Sequence, residues 1–338
     1  MRSGILFGRY LPPHRGHMFH IAQASTLVDV LTVVIIEDEK RDRLVCEQNR
    51  IPYIDGNLRL RWMCEQLQDI NHIKIRKITM DQSSDPQAVE TAVKEQLNES
   101  FDVMFVKKEH DLVRYQTIFL NSEHVVLPDR STRFPLVSGD ILSKPLSYWG
   151  YLLGSARPHF VKRILITGTE SSGKTTLIKS LGKLYNTSWC EEVGRHYPDQ
   201  YTGGNEEVYN TLDFSRMAWL HKEKELSTYR TANRVAFVDT DAVVTQYYSQ
   251  LYLQESNEII ESIIKSNQYD LILMLCPDVA WVADGKRLNS DQARRIHLHE
   301  KLKDMYHERG FSVVEVSGNY KERLDKAIAL IDALIERY

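Results

Sequence analysis

Two short runs in this 338-residue chain hold residue types whose spacing could handle phosphate. Gly8-Arg9-Tyr10-Leu11-Pro12-Pro13-His14-Arg15-Gly16-His17 directly follows an apolar run and fits G-x-[FY]-x-P-x-H-x-G-H. Two imidazoles one helical turn apart at a helix start, with the backbone N–H groups there, could stabilise a nucleotide's phosphates during attack on the α-phosphorus. Gly8 lets the backbone approach the nucleotide, and Gly16 lets the chain enter the helix tightly. The second run, Gly168-Thr169-Glu170-Ser171-Ser172-Gly173-Lys174-Thr175, fits G-x-x-x-x-G-K-[ST] between an apolar run and a helical pattern opening at Thr176. Here the loop, Gly168, Glu170, Ser171, Ser172, Gly173 and Thr176 included, wraps ATP phosphates. Lys174 reaches the β- and γ-phosphates, and the Thr175 hydroxyl meets Mg²⁺.

Further acids and arginines are spaced to complete such a site. Val235-Ala-Phe-Val-Asp239-Thr-Asp241 is an apolar strand ending in acids, the form in which a carboxylate reaches the metal. If the strand continues through Asp241, its period of two puts Asp239 and Asp241 on one face. Asp239 is then a metal ligand and Asp241 a candidate catalytic carboxylate; the other reading of Asp241 is a cap on the helix 242–253, and the two are compatible. Glu192 and Arg195 follow a short strand, where a carboxylate could take a proton from a sugar hydroxyl, or both are solvated loop charges. The stretch Trp281–Arg287, with Arg294 and Arg295 beyond it, reads as a lid whose Arg287 clamps the transferring phosphoryl group.

The elements that must position these groups come as short apolar runs alternating with helical periods, the pattern of parallel strands joined by crossover helices. It occurs twice. Strands are expected at 4–7, 31–36, 73–78, 103–106 and 124–127, then at 163–167, 235–239, 271–276 and 313–316. Between the halves, 138–160 carries Pro and Gly without sustained periodicity, which sets domains at 1–157 and 158–338. Hydrophobic residues at 42% and charged residues at 26% are ordinary globular values, and a net charge of −3 offers no field for nucleic acid. No apolar stretch is long enough for a membrane span or a signal segment, so the expected location is cytoplasmic. The four scattered cysteines make neither a disulfide frame nor a metal knuckle.

A histidine loop followed by a P-loop resembles the NadR-type bifunctional enzymes, which join nicotinamide-nucleotide adenylyltransferase to ribosylnicotinamide kinase. The resemblance rests on Gly8–His17, Asp38–Asp42, Arg59–Met63, Gly168–Thr175, Glu192–Arg195, Asp239–Asp241 with Thr245-Gln246, and Trp281–Arg287. It implies an α/β chain of two doubly wound parallel-sheet domains, a Rossmann-like HxGH nucleotidyltransferase and then a P-loop kinase. Mg-ATP would phosphorylate nicotinamide riboside to the mononucleotide (NMN), and a second ATP would adenylylate NMN to NAD with release of pyrophosphate. His14, His17, Lys174, Glu192, Asp241 and Arg287 are the implied catalytic residues, with Gly8, Arg9, Tyr10, Ser138 and Arg195 among the nucleotide contacts. A homo-oligomer is left open.

Departures cluster in the first half. The family's second signature, Ser-x-Thr-x-x-Arg, corresponds here to Val137–Lys144, where Ser138 remains, Asp140 takes the threonine's place and no arginine follows. Segment 83–95 has no tryptophan to stack on nicotinamide, and in the lid Ala283 replaces an acid. One alternative is therefore a kinase with an inactive, nucleotide-sensing first domain. A coenzyme A synthase-like fusion shares the domain order, but that family places Thr where His14 stands and lacks the Gly8-Arg9 and Pro12-Pro13 pairs. A repressor arm is not expected, because the first strand starts almost at residue 1.

Overall fold

The structure is a computed structural model that describes every residue except Gln82, Ser84, Lys108, His110, Asp111, Val113, Arg114, Gln116, 279–291 and Tyr338. It divides between His159 and Phe160 into two compact units.

The first unit runs β1 (Ser3–Gly8), α1 (Arg15–Ser25), β2 (Val30–Glu37), α2 (Glu39–Gln48), α3 (Gly56–Leu67), β3 (Ile73–Thr79), α4 (Pro86–Leu97), β4 (Val103–Val106), β5 (Glu123–Val126) and α5 (Ser138–Ser143). Its five strands lie in the order β3-β2-β1-β4-β5, and every pairing is parallel. Alternation along β1 sends Ile5 and Phe7 against Val89 and Val93 of α4, and Leu6 against Ile21 of α1 and Met63 of α3. Each such aliphatic burial contributes about 1.5–3 kcal/mol. Chain order reverses beside β1, so the carboxyl ends of β1 and β4 flank the crevice where ligands of open α/β sheets bind.

The division falls within the short helix α6 (Arg157–Phe160), after which the second unit runs β6 (Lys162–Thr167), α7 (Lys174–Leu184), β7 (Trp189–Cys190), α8 (Tyr197–Tyr201), α9 (Thr211–Thr231), β8 (Val235–Asp239), α10 (Ala242–Leu253), α11 (Glu258–Lys265), β9 (Leu271–Leu275), α12 (Gln292–Glu308), β10 (Val314–Val316) and α13 (Tyr320–Glu336). Its sheet order is β10-β9-β6-β8-β7, again all parallel. Ile164 and Ile166 of β6 pack against Leu177 and Leu181 of α7 and against Ala327 and Ile331 of α13. Two parallel α/β sheets are therefore present, each with its motif loop at the carboxyl end of its central strand.

α1 starts at Arg15, with His14 as its N-cap. Helix α2 was not anticipated: in Glu39–Gln48 only Asp42 and Cys46 are buried, too few for an apolar stripe.

Candidate active sites

In the first unit the histidines build the start of α1. His14 Nδ1 accepts from Gly16 N–H at 3.1 Å, while His17 Nδ1 lies 3.3 Å from the His14 backbone N–H that it accepts. The two rings stack with centroids 3.8 Å apart, and His17 meets the Tyr10 ring edge at 4.8 Å. A Cβ on Gly16 would stand 2.9 Å from His14 Cε1, so glycine is what lets the ring fold over the helix start. This arrangement consumes Nδ1 of both rings and leaves His14 Nε2 buried without a partner among the described residues.

Two cations that the sequence reading missed act on this pair. Burial lowers His14 to about 3, with Arg130 and Lys107 as the next causes. His17 is lowered for the same reasons, and burial with Lys107 and Arg130 takes His20 to about 4. The imidazoles are thus neutral at pH 7 beside fixed positive charge, an environment that an anion relieves. Arg130 donates from Nη1 to the carbonyls of Phe134 and Leu136, the latter at 2.7 Å, and Lys107 Nζ lies 5.5 Å from the Tyr10 ring centre. Both cations line a cavity of about 600 Å³ with Leu127, Ser131, Phe134 and Val137. Lys107 was discoverable, since it follows the apolar run of β4 at a strand's carboxyl end; nothing in the sequence marks Arg130.

Behind the loop, Asp42 and Arg59 are fully buried. Arg59 Nη2 binds Asp42 Oδ2 at 2.6 Å and its Nη1 donates to the Arg9 carbonyl at 2.6 Å, while Arg9 Nε donates to Asp42 Oδ1 at 2.8 Å. The pair therefore anchors the loop by its backbone. Gly8 sits above Lys107, within 2.7 Å of Nζ for a Cβ placed there. Ser138 opens the six-residue α5, and Asp140 accepts from Val137 N–H at 2.9 Å, so this acid closes the helix start.

In the second unit Gly168 at φ +138° and Gly173 at φ +89° shape the loop, and Ser171 also has positive φ. A Cβ on Gly168 would lie 2.7 Å from the Leu275 carbonyl oxygen, so only glycine fits there. Lys174 Nζ donates to the carbonyls of Gly168 and Thr169 at 2.9 and 3.0 Å. Ser172 Oγ donates to the Thr169 carbonyl, and Arg323, 2% exposed, donates to the carbonyls of Ser172, Cys276 and Gly318 and pairs with Asp278. Arg323 thus braces the loop as Arg59 does in the first unit; the sequence hides it in an ordinary helical pattern. Thr176 lies in the first turn of α7, which begins at Lys174.

The acids separate. Thr175 Oγ1 donates to Asp239 Oδ2 at 2.8 Å and accepts from Arg195 Nη2 at 2.9 Å. Asp239 Oδ1 is buried without a partner among the described residues, and Glu192, 3.7 Å from Arg195, is held above its usual range by burial and then by the Asp239 charge. These hard oxygen donors fit a magnesium ion, with Thr175 and Asp239 to hold it.

Asp241 takes the capping position. β8 ends at Asp239, and Thr240 at φ +63° breaks the period of two. Asp241 caps α10 through Val243 N–H at 3.1 Å, and accepts from Tyr306 OH at 2.7 Å and Asn267 Nδ2 at 3.0 Å. Burial raises it to about 6. It faces this network, not the P-loop. Arg287 and the stretch 281–287 lie outside the described residues. Arg294 and Arg295 belong to α12, with Arg295 buried.

A cavity of about 440 Å³ lies between Lys174, Glu192 and Arg195 and an aromatic wall of Tyr209, Phe214, Tyr248 and Tyr252. Tyr248 donates to Glu170 at 3.2 Å and Tyr252 to Glu206 at 2.8 Å. The wall comes from α9, α10 and the loop between α8 and α9, and sequence spacing gave no hint of it. Elsewhere, Cys276, His299 and Glu315 bring donor atoms within 4.8 Å, but Lys303 already binds Glu315 at 2.7 Å. Among the described residues no helix is long and apolar enough to cross a membrane.

Comparison with known proteins places these sites in context. A family described as AAA domain matches residues 163–323, the P-loop unit. The Trifunctional NAD biosynthesis/regulator protein NadR of Escherichia coli (strain K12) is 28% identical over 340 residues, 97% of this chain and 82% of that protein. Its counterpart in Salmonella typhimurium (strain LT2) is 28% identical over 98% of this chain and 83% of its own. Two solved structures, NadR protein in complex with NR and NadR protein in complex with NAD and AMP-PNP, superpose with TM-scores of 0.82 and 0.79 at 22% identity, covering 99% of this chain and 96% of theirs. Over nearly its whole length the chain is similar in sequence to these NadR proteins, and its two folds follow one another as in the two NadR structures.

Proposed function

We propose that this protein works in NAD biosynthesis as two enzymes in one chain: the second unit phosphorylates nicotinamide riboside to NMN, and the first transfers an adenylyl group from ATP to NMN, giving NAD and pyrophosphate. The observation that carries the reading is the juxtaposition of the Thr175–Asp239 pair and Glu192 across an aromatic-walled cavity at the P-loop. It is supported by the NadR relatives and their ligand-bound structures.

In the kinase unit Lys174 and the loop amides bind the ATP phosphates. Magnesium held by Thr175 and Asp239 would neutralise charge on the β- and γ-phosphates. Glu192, the acid nearest that centre with a raised proton affinity, orients the riboside 5′-hydroxyl and accepts its proton. Arg195 holds the Thr175 hydroxyl in place. The tyrosine wall, with Glu170 and Glu206 behind it, suits a flat cationic ring. Arg287 completes the clamp. In the transferase unit His14 and His17 face the ATP phosphates, while Lys107 and Arg130 supply positive charge in place of the arginine missing from Val137–Lys144. The protein acts in the cytoplasm.

The test is chromatographic. Purified protein with Mg-ATP and nicotinamide riboside should yield NMN, and with Mg-ATP and NMN should yield NAD. NMN without NAD would mean a kinase carrying a first unit that only binds nucleotide, and no NMN would overturn the riboside assignment.

A further inference from the structure

Thr240 stands between the strand that ends on Asp239 and the helix capped by Asp241, and it holds a backbone conformation that its side chain resists. Its φ is +63°, in the left-handed region that a β-branched residue rarely enters. A residue stays there only where its surroundings fix it from several directions. Thr240 is buried, and all of its polar groups are bonded. Its N–H donates to the Ile166 carbonyl of β6 at 3.2 Å, its hydroxyl donates to the Asp239 carbonyl at 2.6 Å, and its own carbonyl accepts from His221 Nε2 at 3.0 Å.

The last of these bonds reaches in from α9. His221 is buried on the same face of that helix as Phe214 and Met217, which line the kinase cavity. A carbonyl oxygen can only accept, so Nε2 carries the ring proton. Burial holds the ring below its ordinary pKa, and it donates as a neutral imidazole. The same nitrogen lies 4.0 Å from Sγ of Cys190, the last residue of β7 and two residues before Glu192. The ring also borders a small cavity of about 50 Å³ lined by Glu192, Thr240 and Tyr248, all three of which line the larger cavity too. His221 therefore sits between the ends of the two strands that deliver the proton-accepting Glu192 and the metal-holding Asp239.

Building on the reading of the second unit as a magnesium-dependent riboside kinase, we propose that His221 is a positioning residue: its bond to the Thr240 carbonyl fixes the left-handed turn that aims the Asp239 carboxylate at magnesium. Magnesium demands near-octahedral geometry, so a carboxylate carried off line by a relaxing turn holds it less well.

His221→Leu removes the donor and leaves the Thr240 carbonyl buried and unpaired. It should lower kcat for riboside phosphorylation by about tenfold and raise the magnesium concentration for half-maximal rate by about as much, with the riboside KM within about twofold and NAD formation by the first unit unchanged. His221→Gln, whose amide nitrogen reaches the place of Nε2, should restore both quantities to within about threefold, whereas His221→Asn, whose shorter amide overlays Nδ1, should not. That pair decides the matter even where the leucine variant loses stability. A second readout needs no riboside: the tightening by magnesium of a fluorescent ATP analogue, taken as the part of the binding signal that Lys174→Ala abolishes. This tightening should be largely lost in His221→Asn and kept in His221→Gln, so a failure of the riboside assignment is told apart from a failure of this one. Equal magnesium dependence in the Gln and Asn variants overturns the proposal, as does a leucine variant with the magnesium requirement of the unaltered chain.

Discussion

The Thr175 hydroxyl binds one oxygen of Asp239 at 2.8 Å, and the other oxygen of that carboxylate lies buried with no partner among the described residues. A buried, half-satisfied carboxylate costs stability unless something else completes it, and a hard cation at the P-loop does so. Asp239→Asn should therefore lower riboside phosphorylation by about 10²–10³ and raise the magnesium concentration needed for half-maximal rate, while the melting temperature holds or rises. A variant with an unchanged magnesium requirement would remove Asp239 from the metal's ligands.

The Asp239 charge also bears on Glu192, whose proton affinity it raises. The kinase should lose rate as pH falls through the raised Glu192 pKa, because the protonated carboxyl cannot accept the riboside proton. Removing the neighbouring negative charge should move that acid limb to lower pH. A pH–rate profile of Asp239→Asn, measured at saturating magnesium, checks the direction.

Lys174→Ala should abolish NMN formation from the riboside and leave NAD formation from NMN intact. Both products come from one preparation by chromatography. Full kinase activity in this variant would remove Lys174 from its role.

Asp241 caps α10 and accepts from Tyr306 and Asn267. Asp241→Asn should keep kinase activity within a few-fold while lowering stability by about 1–3 kcal/mol in denaturant titrations. Loss of activity at unchanged stability would return Asp241 to the reacting centre.

The first unit should be acid-sensitive. His14 titrates near 3 and His20 near 4 in the fold, against about 6.5 unfolded, so protons favour the unfolded chain. The stability they contribute is complete above about pH 6.5 and is lost as pH falls, by up to about 1.4 kcal/mol per pH unit for each imidazole. Melting curves between pH 7.5 and about pH 4 should show the loss, and His14→Asn should reduce its slope.

Much of this was legible from residue order alone. Apolar runs at 103–106 and 235–239 match β4 and β8 because parallel strands buried on both faces read as continuous hydrophobic sequence. Both motif loops announced themselves because glycine, histidine and lysine at fixed spacing serve local geometry. What was not legible depends on contacts distant in sequence. Arg323 reaches Ser172 across 151 positions, and Tyr306 reaches Asp241 across 65. The strand face expected to be shared by Asp239 and Asp241 is lost at one backbone angle, the positive φ of Thr240, which a threonine does not advertise.

Lys174, finally, is already in use. Its ammonium is bonded to two carbonyls of its own loop, Gly168 and Thr169. An incoming triphosphate must draw the lysine away from these oxygens, so nucleotide capture is an exchange of partners whose net strength is a difference between two bonded arrangements. Between turnovers the same side chain acts as a latch, keeping the loop in the shape its next nucleotide requires.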